Sequence, residues 1–156
     1  MDTSVTLSKE ELAWATSVGM QRYNESLKRG HKNKHGLKYA TEALDVDGAC
    51  AELAVAKFTG WPWKAGVNTF KEADIEDNIQ VKSTPKQDNR LIIRNDDSSD
   101  HCYILVVGVA PTFRIVGWII GRDGKQPQYL YNPNDREPAY FIPQTALNSF
   151  DEFIKA

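Results

Sequence analysis

Residues 47–60 read Asp-Gly-Ala-Cys-Ala-Glu-Leu-Ala-Val-Ala-Lys-Phe-Thr-Gly, and the helix they predict is small and apolar nearly all round. A helix without a polar stripe has to be buried, so the rest of the chain must build layers around it. Asp47 can cap this helix and Gly60 can end it. Glu52 interrupts the apolar surface. A carboxylate in that setting is costly unless it has a partner or a metal; the alternative is a place on the helix edge, facing water.

The flanking sequence supplies the covering layers. Ser8-Lys9-Glu10-Glu11 is a capping box, and Leu12, Ala15, Val18 (or Gly19), Tyr23 and Leu27 follow at near-helical spacing. This predicts a first helix over residues 9–29, stopped by Gly30. Beyond the second helix the chain turns strand-like. Runs rich in β-branched and aromatic residues fall at 67–70, 74–75, 79–84, 91–94, 103–109, 113–120 and 139–142, separated by Asn, Asp, Pro and Gly. Residues 122–137 read as loop with a Tyr129-Leu130-Tyr131 island. Pro143 can open a short helix, and Ser149 can cap another running into Phe153-Ile154. The order of helices first and strands after predicts an α+β fold, with a central mixed, mainly antiparallel sheet flanked by helices. At 156 residues, positions 1–156 are expected to form one domain.

Composition excludes several classes. The net charge of −2 does not mark a nucleic-acid binder, so any such role must rest on local clustering. One cluster exists: residues 28–38 hold Lys28, Arg29, Lys32, Lys34 and Lys38 with two histidines and no acid. It is either a solvated basic loop or a phosphate-contacting segment. Cys50 and Cys102 lie far apart without metal-ligand spacing, so two buried thiols are expected rather than zinc or a disulfide framework. No segment is apolar enough to span a bilayer and no basic, then apolar, leader opens the chain, so a cytoplasmic protein without a membrane partner is expected. Trp61 and Trp63 read as rings that cap the core. The acidic run 95–100 reads as a solvated connection.

The chemistry concentrates in Ile79-Gln80-Val81-Lys82-Ser83-Thr84. On a strand, residues two apart share a face, so Gln80 and Lys82 point together while Val81 points into the apolar side and offers its carbonyl. Asp74 lies across a predicted turn at 76–78, where Asp77 serves as a turn residue, so Asp74 and Gln80 can approach on opposite arms of a hairpin. Two carboxylates, an amide oxygen, a carbonyl and a lysine can hold a divalent metal beside a phosphate. Without Glu52 and Asp74, Gln80 and Lys82 would be the solvent face of an amphipathic strand.

A buried helical Glu, then an Asp, then a strand carrying (acid or amide)-x-Lys, in that order, resembles the PD-(D/E)xK nuclease superfamily. Glu52 matches the helical acid and Asp74 the acid of the PD motif, with Ala73 where a proline is often found. Gln80-Val81-Lys82 matches (D/E)-x-K with Gln in the acid position. The chain is also similar to a group of small phage and prophage proteins, through 47–57, 67–71, 79–82, 116–119 and 139–144.

The resemblance implies a restriction-endonuclease-like core and a phage-type, metal-dependent nuclease acting on DNA. Glu52, Asp74, Gln80 and the Val81 carbonyl would hold Mg²⁺ (or Mn²⁺), and Lys82 would hold the phosphate or orient the attacking water. Arg22, Lys28, Arg29, Lys32, Lys34, Arg90 and Arg94 are the candidate contacts to the nucleic-acid backbone. A homodimer is possible, since each such site cuts one strand. Gln80 removes one negative charge, which keeps open a nucleic-acid-binding module without turnover on the same fold. A third reading is a phage accessory protein that binds a host protein through Trp61, Trp63, Tyr129 or Tyr131.

Overall fold

The computed structural model describes residues 2–28, 41–66, 74–75, 78–132 and 137–151. The chain opens with a short strand, β1 (Ser4–Thr6), and two long helices, α1 (Lys9–Lys28) and α2 (Thr41–Thr59). Strands β2 (Ile79–Thr84), β3 (Leu91–Arg94), β4 (Cys102–Val109) and β5 (Thr112–Ile120) follow. After these come a helical turn α3 (Gly121–Gly124) and the strands β6 (Leu130–Tyr131) and β7 (Ala139–Ile142). The expected strand over 67–70 lies outside the described residues, as do Asp77 and Phe153-Ile154.

The capping box forms as its sequence predicts. The Ser8 amide donates to Glu11 Oε1 (2.7 Å) and the Glu11 amide donates to Ser8 Oγ (3.1 Å). Asp47 does not start the second helix: α2 already begins at Thr41. Residues 41–46, Thr-Glu-Ala-Leu-Asp-Val, contain no breaker, so nothing forces a start at the aspartate. Lys57 near the end of α2 donates to Glu11 Oε1 (2.7 Å) and to the Thr6 carbonyl (2.8 Å), which ties it to the start of α1. At the other end of the pair, Gly19 lies against Val46. A Cβ at Gly19 would stand 2.5 Å from Val46 Cα, so a glycine is what lets α1 and α2 cross this closely. The two contacts make the helices an antiparallel pair.

The main sheet has the order β1-β5-β4-β2, with β2 parallel to β4 and the other pairs antiparallel. A second sheet, β3-β7-β6, is antiparallel throughout. The mixed, mainly antiparallel sheet expected from the sequence is therefore present. Alternation along β4 divides the interior into two cores. Cys102, Ile104 and Val106 pack with Ala49, Cys50, Leu53 and Val55 of α2, whereas Tyr103, Leu105 and Val107 pack with Leu91 and Ile93 of β3 and Ile142 of β7. The layers are helices, main sheet, second sheet, and β4 is buried on both faces. That explains its continuous apolar run, Cys-Tyr-Ile-Leu-Val-Val. As its apolar surface requires, α2 is covered, with residues 49–56 all buried.

Candidate functional site

Strand β2 is an edge strand of the main sheet, and its ladder with β4 fixes where its side chains point. Gln80 pairs with Tyr103 and Lys82 with Leu105, both of which face the second sheet. Ile79 and Val81 belong to the helix-side core. The shared face of Gln80 and Lys82 is thus present, and it is the face turned away from α2.

Asp74 is joined to this strand as expected. Its amide donates to the Ile79 carbonyl (2.9 Å), and Ile75 and Ile79 exchange antiparallel hydrogen bonds across the turn. Its carboxylate Oδ2 then accepts the Val81 amide (2.8 Å), so the acid is clipped onto the middle residue of Gln-Val-Lys. Burial, followed by the nearby negative charge of Glu52, raises the Asp74 pKa to about 7; the Val81 amide, Arg22 and Lys82 oppose that rise. Asp74 therefore lies within electrostatic reach of both Glu52 on the helix side and Lys82 on the other.

Glu52 is the one buried charged side chain among the described residues, at 6% exposure. It does not sit at a water-facing helix edge. Arg22 of α1 grips it with a two-pronged ion pair: Nη1 to Oε2 and Nη2 to Oε1, both 2.8 Å. Long helical side chains lean toward the N-terminus of their helix, which carries the Arg22 guanidinium back to the level of Glu52. Arg22 Nε donates to the Gly66 carbonyl (2.7 Å), and the Trp63 indole N–H donates to Glu52 Oε1 (3.0 Å). Burial works against the Arg22 charge, but the hydrogen bonds and charge of Glu52, with Asp74 and Asp45 beyond it, raise its pKa overall. In this arrangement the Arg22 guanidinium, expected from the sequence to face a nucleic-acid backbone, is turned onto Glu52. A buried carboxylate needs a cation, and Arg22 is the cation that faces it.

On the second-sheet side, Lys82 Nζ donates to Asp97 Oδ2 (2.9 Å) and lies 5.6 Å from the centre of the Tyr103 ring. Asp97 Oδ2 also accepts the Arg94 amide (2.9 Å), and Lys125 Nζ donates to the Asn95 carbonyl (3.0 Å) and to the Asp97 carbonyl. The run 95–100 is thus a folded turn that supplies a partner for Lys82. The Gln80 amide nitrogen lies at hydrogen-bond distance, 3.1 Å, from His101 Nδ1. Sequence reading missed Trp63, Asp97 and His101 as members of this region. A tryptophan N–H near a buried acid was the one signal that could have pointed to Trp63.

Among the other candidate nucleic-acid contacts, Lys28 and Arg90 are exposed, and Lys28 lies 3.8 Å from Glu25. Arg94 is half-buried at the end of β3. Arg29, Lys32 and Lys34 lie outside the described residues, as does Ala73. Trp63 is buried and meets Trp14 edge-on with ring centres 4.8 Å apart, so it caps the core and offers no surface anchor. Trp61 and Tyr129 are half-buried, and Tyr131 is exposed.

Magnesium takes hard oxygen ligands and retains water. Glu52, Asp74 and the Val81 carbonyl are donors of that class, so the chemistry of the set fits the metal. The arrangement adds a condition, because Glu52 is already held by Arg22 and Trp63. Among the described residues, no three His, Cys, Asp or Glu side chains are grouped to hold a metal. No described helix is long and apolar enough to cross a membrane. Comparison with protein-family models, with curated proteins and with solved structures finds no match in any of the three.

Proposed function

We propose that this chain is a metal-dependent nuclease of the PD-(D/E)xK type, hydrolysing phosphodiester bonds in DNA on a restriction-endonuclease-like core. The observation that carries the reading is the clip between Asp74 and β2. It brings the acid of the motif to the strand that bears Gln80 and Lys82, at 2.8 Å from the Val81 amide. Asp74, the Val81 carbonyl and Glu52 would hold Mg²⁺ or Mn²⁺; the Gln80 side chain, on the opposite face of β2 beside His101, would stand outside that set. When bound, the metal lowers the pKa of a water and offsets phosphate charge.

The chain's own residues supply the rest. Lys82 is half-exposed and paired with Asp97, so an incoming phosphate can take over the ammonium. Asp97 keeps that ammonium aimed across the strand until then. Lys28, Arg90 and Arg94, with Arg29, Lys32 and Lys34, would track the flanking phosphates.

A second reading is a nucleic-acid-binding module without turnover. What favours it is the ion pair: both Glu52 oxygens are engaged by a guanidinium, and the motif's strand acid is a neutral glutamine. One experiment separates the two. Plasmid and single-stranded DNA are incubated with the wild type, Asp74→Ala and Lys82→Ala in Mg²⁺ or Mn²⁺. The nuclease reading expects cleavage by the wild type and none by either variant. Cleavage that persists in both variants removes the site assignment. Salt-dependent binding with no cleavage by the wild type selects the binding module.

A further inference from the structure

We propose that Arg22 is an internal cation that closes the acidic site: its guanidinium stands on Glu52 where a divalent metal would stand, and metal enters as Arg22 leaves. The inference rests on the metal-dependent reading above and concerns how that site is controlled. Three observations carry it.

The grip is complete, since the two prongs of the guanidinium take the two oxygens of Glu52 at 2.8 Å each. It is also central. Arg22 sits in the field of Asp74 and Asp45 as well as Glu52, so among the described residues it is a positive charge shared by three acids. Lastly, the grip can open. The Arg22 side chain is 20% exposed while Glu52 is 7% exposed, so the arginine has a way to solvent that the glutamate lacks. A guanidinium does not lose its proton in a protein, so this block is lifted by movement or by a competing anion and not by a rise in pH.

The contact also has a built-in reporter. The Trp63 indole N–H bonds to Glu52 Oε1, so its proton and nitrogen resonances register any change in what Glu52 holds. The experiment measures Mn²⁺ affinity by calorimetry, and the Trp63 indole and Arg22 Nε–H signals by NMR during a Mg²⁺ titration. It uses the wild type, Arg22→Gln and Arg22→Lys, each checked for a native circular dichroism spectrum. The expected result is Mn²⁺ binding about tenfold or more tighter in Arg22→Gln than in the wild type. Arg22→Lys should lie between them, because lysine keeps the charge and loses the fork. In the wild type, saturation with Mg²⁺ should move the Arg22 and Trp63 signals together.

Metal binding with equal affinity in all three proteins overturns the gate and leaves the metal site standing. So does Mg²⁺ saturation of the wild type with both signals unmoved, a result that holds even if neither variant folds. Absence of metal binding from all three, at millimolar concentrations, overturns the gate and the metal-dependent reading together.

Discussion

Replacing Arg22 by glutamine should destabilise the fold more than replacing Glu52 by glutamine, although the two residues share one ion pair. Removing the arginine leaves a carboxylate at 6% exposure with one neutral donor among the described residues, the Trp63 indole. Breaking a buried pair from one side costs about 3–5 kcal/mol, because the remaining charge stays desolvated. The Arg22 side chain keeps 20% of its surface in water, so the lower end, about 3 kcal/mol, is the working figure. Removing the glutamate instead leaves a guanidinium that retains the Gly66 carbonyl and can turn outward, so about 1–2 kcal/mol is expected. Arg22→Gln with Glu52→Gln removes both charges, and the double change should cost less than the sum of the two single changes by about 2 kcal/mol. Urea denaturation monitored by tryptophan fluorescence and by circular dichroism gives all of these values. For a chain of this length the Arg22→Gln loss corresponds to a fall in Tm of roughly 6–12 °C. If Arg22→Gln costs less than Glu52→Gln, or if the double change is additive, Glu52 is not a desolvated charge dependent on Arg22.

Three further outcomes follow from the same geometry. The folded pKa of Asp74, about 7, stands above its ordinary value of 3.8, so between those two values the folded state holds a proton that the unfolded chain has released. Its contribution is therefore fully present below about pH 4 and is lost as pH rises through 7, by at most about 4 kcal/mol. Asp74→Asn should flatten that slope in denaturation midpoints taken across the range, and an unchanged slope would place the titration elsewhere. Trp63→Phe keeps an aromatic ring but removes the N–H on Glu52, and should cost about 1–3 kcal/mol in the same denaturation assay; a cost near zero would count against that hydrogen bond. Gly19→Ala puts a methyl 2.5 Å from Val46 Cα and should cost about 1–3 kcal/mol while loosening the Arg22–Glu52 contact one helical turn along. A neutral Gly19→Ala, seen by thermal melts, would mean that the helices cross further apart.

What could be read from the chain, and what could not, divides by the range of the interaction. The capping box, the strands at 79–84, 91–94 and 139–142, and the covered second helix each follow from signals within a dozen residues, and each is present. Asp47 signals a start for α2 six residues later than Thr41, because a good cap marks where a helix can begin and not where it must. At the site, the sequence correctly required a partner for Glu52, and period two correctly put Gln80 and Lys82 on one face. Neither rule says which side of the sheet that face takes. The parallel ladder with β4 decides it, through a partner twenty-three residues away, Gln80 beside Tyr103.

The same ladder explains why Asp74, and not Glu52, is the hinge of any chemistry this region performs. Glu52 belongs to the helix side, and Gln80 and Lys82 belong to the second-sheet side. A carboxylate that is to act with both must therefore come round the open edge of β2. Asp74 does this by setting its carboxylate on a backbone amide rather than on another side chain. The Val81 amide that it accepts is the edge group that an outer strand would otherwise leave unpaired. Satisfying that amide fixes the carboxylate at the border of the two layers, where Glu52, Arg22 and Lys82 all act on its charge. A rearrangement that moved Arg22 would thus change the charge balance at Asp74 without moving Asp74 itself. A fixed acid beside a partly exposed cation is the arrangement that the proposed exchange of Arg22 for a metal requires.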